Sequence, residues 1–409
     1  YVQSPETQGW SIEKLIALER FIIDSSHATG VMVIQGGKVL YDFGDTKELC
    51  FIASCRKSVL SILYGPFVES GAIDLDKTLG ELQITDHDTL LNVEKRASIS
   101  DLLTGRSCVF LPSTESGTNR HAPPRGSQQP GSFFLYDNWG FNVAGFIFER
   151  ETGRNIYDAV GEILAKSLKM QDWDRSKQYK EVFGDYLYSR FPEYHMWLST
   201  RDMARIGYLM LQKGMWDGKQ LIPKAWIQKT TSLVTSVEEM KQSDPVIRTR
   251  PWWKWGYGYM WRVWDPNENI RQELKGAYTA TGSWGDYITV VPSVDIVITL
   301  TTKSEYRRST TNETYLKMID LLLDAGTDYS GENTILSTRG MKTIGHIVSI
   351  ARRESHIDFV KYGFTYQGRE YVGWSSSSRD ILASGTYAVI FDPSNPKVSR
   401  IDLTKKIEQ

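Results

Sequence analysis

Cysteine is scarce in this chain: three in 409 residues, at Cys50, Cys55 and Cys108. So low and odd a count cannot close a disulfide framework, and none of the three has the spacing of a zinc site. Histidine is thin as well, at 27, 87, 121, 195, 346 and 356, with no pair four residues apart on a helix, so no metal centre is expected. No apolar run approaches the roughly 20 residues that cross a bilayer. An excess of either charge is also missing: 48 Lys plus Arg face 49 Asp plus Glu, a net charge of −1. That balance argues against nucleic acid or an anionic membrane as the main partner. A small molecule is the expected partner, and the oligomeric state stays open. The chain starts at Tyr1 without a methionine, as it would after loss of a leader. A periplasmic or secreted protein is one expectation from this, and a cytoplasmic one is the alternative.

What is present is ordinary for a globular protein, 41% hydrophobic and 24% charged, and long enough for more than one domain. "WSIEKLIALERFIIDSSHATG" carries Ile12, Leu15, Ile16, Leu18, Phe21 and Ile22 on a helical stripe. "GVMVIQGGKVLYDFG" reads as a hairpin turning at Gly36-Gly37. From Ser54 to about 230 the signal is mostly helical, interrupted by a long polar loop over 113–132. Strands return in "WGYGYMWRVW", "GDYITVVP" and "VDIVITLTT", followed by a helix over 312–326. Strands at both ends and helices between predict an α/β protein of the α+β type: an antiparallel sheet flanked by helices, with an inserted helical lobe. A site is then expected where sheet and lobe meet. After Gly326 the pattern changes to short strands with Gly and Asn-Pro turns. The predicted division is a first domain over 1–326 and a small β-rich accessory module over 327–409.

The stretch "CFIASCRKSVLSILYG" places Ser54 and Lys57 one helical turn apart at a helix start. Such residues share a face, with Cβ atoms about 5–6 Å apart. A serine hydroxyl is a weak nucleophile until a base takes its proton, and a lysine serves if burial lowers its pKa by about 3 units. The bland alternative is an N-cap serine beside a snorkelling lysine. Two further elements favour chemistry. Tyr136-Asp137-Asn138 follows the long loop, where the phenol can share protons with Ser54 and Lys57 and the Asn amide can hold Lys57 or a substrate carbonyl. A buried tyrosine beside a capping Asn is the plainer reading. Thr281-Gly282-Ser283 is read at the start of an edge strand, from which the Ser283 N–H and the Ser54 N–H can receive an oxyanion. The plainer reading there is a glycine-rich turn.

In this order and context the three elements resemble the penicillin-recognising serine hydrolases: class C β-lactamases, DD-peptidases, related esterases and the 6-aminohexanoate-dimer hydrolase. Ser54-Cys55-Arg56-Lys57 matches S-x-x-K, Tyr136-Asp137-Asn138 matches Y-x-N, and Ala280-Thr281-Gly282 stands at the K/H-T-G position. Flanking stretches such as "GAIDLDKTLGEL" and "WLSTRDMARIGYLMLQKGMWDGKQLIPKAW" agree. The resemblance implies ester or amide cleavage through an acyl-enzyme. Ser54 is then the nucleophile, Lys57 and Tyr136 manage protons, and Asn138, Thr281, Gly282 and Ser283 bind substrate, without a cofactor. A β-lactamase, a DD-peptidase or an acylated sensor without turnover are the alternatives on the same scaffold. Two departures stand out. Ala280 replaces the cation that meets a substrate carboxylate, and no E-x-x-L-N deacylation motif occurs. The expected substrate is therefore an ester or simple amide rather than a penicillin, unless Arg125 in the long loop supplies the cation.

Three other features invite a reading. Trp255, Tyr257, Tyr259 and Trp261 alternate as on one face of a strand, mainly for core packing. His195 is expected to be structural rather than a third acid–base group. Ser199 with Asp202 reads as a capped helix start with Met203, Ile206 and Met210 buried behind it.

Overall fold

Ser11 accepts the Lys14 N–H and so starts a helix over Ile12–Ser25, the one expected from the apolar stripe. Gly36 and Gly37 both take positive φ, 57° and 73°, and close a two-residue hairpin between Gly30–Gln35 and Lys38–Gly44. The computed structural model describes residues 4–117, 119–181, 188–327, 335–353, 357–378 and 385–407. The chain divides into two compact units, 1–46 with 308–409 and 47–307.

In the first unit the Ile12–Ser25 helix packs against the Asn312–Thr327 helix. Beyond these, five antiparallel strands form one sheet, in the order Arg369–Ser378, Ile357–Tyr366, Met341–Ala351, Thr386–Asp392, Asn395–Ile407. Tyr362, Phe364, Tyr387, Val389, Phe391 and Ile401 make its core. The strands run to 13 residues, longer than the sequence suggested, and Asn395-Pro396 opens a strand instead of forming a turn. Arg353 explains why residues 1–46 group with this sheet. Its guanidinium pairs with Glu19, donates to the Asp42 carbonyl at 2.5 Å and lies 3.9 Å from the Phe359 ring centroid. The β-rich character of the tail is as expected. By contacts the first unit takes in residues from 308, and residues 328–334, next to the expected border, lie outside the described residues. Treating 327–409 as an accessory module remains a proposal.

The second unit holds the helical lobe and an antiparallel run of strands. Trp255–Tyr257, Arg262–Trp264, Tyr278–Gly282, Asp286–Val291 and Ile296–Thr301 each pair with the next. The Thr200–Leu211 helix, capped by Ser199 as expected, packs on the last two of these strands. A Cβ on Gly207 would meet Val297 Cγ1 at 2.4 Å, so only glycine permits this close approach of helix to sheet. The aromatic stretch is not one strand. Trp255–Tyr257 and Arg262–Trp264 are antiparallel partners joined through Gly258–Trp261, with Met260 at φ 61° and the Gly258 N–H bonded to the Trp261 carbonyl. The Cys55–Glu69 helix is buried all round from Cys55 to Gly65, which is why its sequence shows an apolar run and no stripe. Two of its hydroxyls fasten the aromatic turn: Ser58 donates to the Met260 carbonyl at 2.6 Å and Ser61 to the Tyr259 carbonyl at 2.7 Å.

Candidate active site

The short strand Leu49–Phe51, paired with Trp197–Ser199, leads into the Cys55–Glu69 helix through Ala53. Ala53 has φ 44°, a conformation L-residues adopt at a cost of roughly 1–2 kcal/mol. The bend delivers Ser54 to the helix end, but its hydroxyl caps nothing. Instead Lys57 Nζ donates to Ser54 Oγ at 3.0 Å, to Tyr136 Oη at 2.9 Å and to Asn138 Oδ1 at 2.7 Å. Lys57 is 1% exposed. It does not snorkel, and its three donors are all committed to the candidate site.

Burial drives the Lys57 pKa below that of an ordinary lysine, and the Arg56 charge adds to this while Tyr136 and Glu115 work the other way. For Tyr136 burial acts upward, but the charges of Lys57 and Arg262 and hydrogen bonds with Lys57 and Ser54 outweigh it, leaving the phenol below its usual range. Both shifts are downward, the direction that favours proton exchange with a serine hydroxyl.

Asn138 is the first residue of the Asn138–Thr152 helix; its cap is Asp137, whose carboxylate accepts the Gly140 N–H at 3.3 Å. Burial pushes the Asp137 carboxyl up to about 7. Arg56 anchors the surroundings. Its Nη2 lies 2.7 Å from Glu193 and 3.4 Å from Glu115, and Glu115 also accepts from Asn142 at 2.8 Å. Glu115 belongs to the long loop, which is thereby docked beside the candidate site. Asn119 of that loop donates to the Tyr136 carbonyl at 3.2 Å, and Thr118 lies outside the described residues.

The third element ends a strand rather than starting one. Tyr278–Gly282 pairs with Asp286–Val291 along its length, but with Arg262–Trp264 only at Tyr278 and Thr279. From Ala280 onward no strand pairs with that second side among the described residues, so an interior strand has a local free edge. A Cβ on Gly282 would sit 2.6 Å from the Ile52 carbonyl, which places the strand end against the segment that carries Ser54. Among the described residues neither the Ser54 N–H nor the Ser283 N–H has a backbone acceptor. Ala280 is buried, 1% exposed.

Arg125 is not available as the replacement cation. It is bidentate to Glu94, with both N–O distances 2.8 Å, and donates to the Thr89 carbonyl at 2.6 Å. His195 lies 3.1 Å from Glu193 and stacks on Phe51 at 4.7 Å, and no hydrogen bond from it to Ser54, Lys57 or Tyr136 is seen among the described residues. Two residues escaped the sequence reading. Glu115 gave no local signal. Arg262 did give one, as a charge inside the aromatic stretch; its Nε donates to Thr281 Oγ1 at 3.1 Å and its guanidinium lies 5.4 Å from the Tyr136 ring centroid.

A family model described as Beta-lactamase matches residues 19–321. An uncharacterized protein of Alkalihalophilus pseudofirmus is 24% identical over 60% of this chain and 71% of its own length. Among solved structures, a proposed 6-aminohexanoate-dimer hydrolase from Bacillus anthracis aligns over 77% of this chain and 82% of its own, with 18% identity and a TM-score of 0.57. The octameric penicillin-binding protein homologue from Pyrococcus abyssi aligns over 92% and 96%, with 15% identity and a TM-score of 0.54. The chain belongs to the β-lactamase family of penicillin-recognising serine hydrolases, and is a hydrolase of that superfamily.

Proposed function

We propose that this hydrolase cleaves esters or amides of small molecules through an acyl-enzyme on Ser54. The observation that carries the reading is the hydrogen-bonded trio in which buried Lys57 Nζ lies 3.0 Å from Ser54 Oγ and 2.9 Å from Tyr136 Oη. In the proposed route Ser54 Oγ forms a bond to the substrate carbonyl carbon as its proton passes to the Lys57–Tyr136 pair. The tetrahedral oxyanion rests on the N–H groups of Ser54 and Ser283. When the carbon–leaving-group bond breaks, the pair returns the proton to the departing oxygen or nitrogen. Water then attacks the acyl carbon, the pair again takes and returns a proton, and Ser54 is regenerated with release of the acid. Lys57 and Tyr136 act as one coupled base, since a shared proton belongs to neither alone. Asn138 holds the Lys57 ammonium, and Thr281 and Gly282 line the free edge along which a substrate lies. Side chains and water account for every proton, so the route calls for no cofactor. The test is pre-steady-state hydrolysis of p-nitrophenyl butyrate. An initial burst of one equivalent of nitrophenol, followed by continued turnover and a trapped butyryl adduct on the Ser54 peptide, is expected. A burst without turnover would mark an acylated sensor, and no acylation would refute the reading.

A further inference from the structure

We propose that Glu115 is a positioning residue: it ties together the two helices that carry Lys57 and Asn138, and so fixes the lysine against its acceptors. The inference rests on the hydrolase reading above and adds the long loop to its machinery. A lysine ends a flexible four-carbon stem, so its aim depends on how its surroundings are held. Lys57 belongs to the Cys55–Glu69 helix, whereas Asn138, its acceptor at 2.7 Å, opens the Asn138–Thr152 helix. One carboxylate reaches both helices. Glu115 Oε1 lies 3.4 Å from Nη2 of Arg56, the residue before Lys57. Its Oε2 accepts from Asn142 Nδ2 at 2.8 Å, one helical turn beyond Asn138. The Arg56 side chain is 1% exposed and that of Glu115 11%, so little water competes for these bonds.

The loop around Glu115 adds to the hold. Ser113 and Gly117 exchange backbone hydrogen bonds at 3.0 and 2.9 Å, which makes the stretch between them a closed turn. Within that turn Ser116 Oγ accepts from Asn138 Nδ2 at 3.4 Å, which leaves Oδ1 of the same amide facing Lys57. Asn119 donates to the Tyr136 carbonyl at 3.2 Å. Glu115, Ser116 and Asn119 thus bear on the supports of Lys57, Asn138 and Tyr136 in turn. Burial is the main influence that lowers the Lys57 pKa, and the Glu115 charge opposes it. Arg56, Tyr136, Asp137, Glu193 and the Cys55 thiol are the other titratable groups that interact with Lys57.

The experiment compares the acylation rate with p-nitrophenyl butyrate in the parent, Glu115→Ala, Glu115→Gln and Tyr64→Phe. The last is a control: it removes another bond between the same two helices, from Tyr64 Oη to the Ala144 carbonyl at 2.6 Å, farther along both. Acylation should fall by about 10²-fold in Glu115→Ala, the usual result of misplacing reacting groups by about 1 Å. Glu115→Gln keeps an acceptor for Asn142 and should recover part of that loss. Tyr64→Phe should lower Tm while acylation stays within a few-fold of the parent. A second readout needs no turnover. By carbon-13 NMR the Lys57 Cε resonance, assigned by its loss in Lys57→Ala, should titrate at lower pH in Glu115→Gln than in the parent. If the parent is never acylated but this shift is present, the hydrolase reading fails and the tie between Glu115 and Lys57 stands. Acylation of Glu115→Ala within a few-fold of the parent, an equal loss in Tyr64→Phe, or an unmoved Lys57 titration overturns the proposal.

Discussion

Lys57 holds the centre of the candidate site at the scale of single residues, because one ammonium serves three acceptors within 3.0 Å. Removing either member of the Lys57–Tyr136 pair takes away the same proton route. Lys57→Ala and Tyr136→Phe are each expected to lower kcat by about 10² or more, the scale of lost acid–base catalysis. The double variant should cost much less than the product of the two losses, since the residues act as a unit; steady-state kinetics of the full cycle would check this, and simple multiplication of the losses would contradict it. These residues were legible in the sequence because S-x-x-K and Y-x-N are local: a helical turn and a helix entry fix each pair without help from the rest of the fold. Arg262 and Glu115 were not, since each acts through a partner far along the chain, Thr281 and Arg56 respectively. Arg125 shows the converse. A loop arginine looks free in sequence until the fold places Glu94 beside it.

Elements set how closely these residues meet. The Tyr278–Gly282 strand ends against the Ile52 carbonyl, with room only for hydrogen at Gly282. Gly282→Ala would press a methyl into rigid backbone at 2.6 Å, so the strand end must shift away from Ser54. A loss in kcat/KM of at least about 10²-fold is expected, the usual result of displacing reacting groups by about 1 Å; activity within a few-fold of the parent would mean the strand end plays no part. The neighbouring strand begins at Asp286, fully buried, with Oδ1 accepting the Thr302 N–H at 3.3 Å and Oδ2 unpartnered among the described residues. Burial raises its pKa well above the ordinary value, against the smaller opposite effect of Thr302. The folded state therefore keeps a proton that the unfolded chain loses above about pH 3.9, and stability falls as pH rises beyond that point, by up to about 1.4 kcal/mol per unit. Asp286→Asn lacks this slope. Its Tm relative to the parent should climb from pH 4 toward pH 7, and a difference independent of pH would refute the assignment. The aromatic stretch misled as a strand because its alternation continues through the turn, where the positive φ at Met260 is invisible in the sequence.

For the whole molecule, the α/β class, the helical lobe and the β-rich tail were legible from periodicity, while the grouping of 1–46 with the tail was not. That grouping depends on contacts across more than 300 positions, such as Glu19 with Arg353 and Glu6 with Ser375. Every proposed catalytic residue lies in 47–307. A chain ending at Ser330 is accordingly expected to retain ester hydrolysis with a lowered Tm, because the Arg353 pairing with Glu19 and the bonds to Glu6 are lost; folded but inactive protein, judged by circular dichroism beside the kinetics, would show that the tail is needed for the reaction. The central claim is that Ser54 carries the acyl group, and it is tested most directly by reaction with a fluorophosphonate followed by peptide mass mapping. One equivalent of adduct on the Ser54 peptide, lost together with ester turnover in Ser54→Ala, is the predicted result. Labelling or turnover that persists in Ser54→Ala would contradict it.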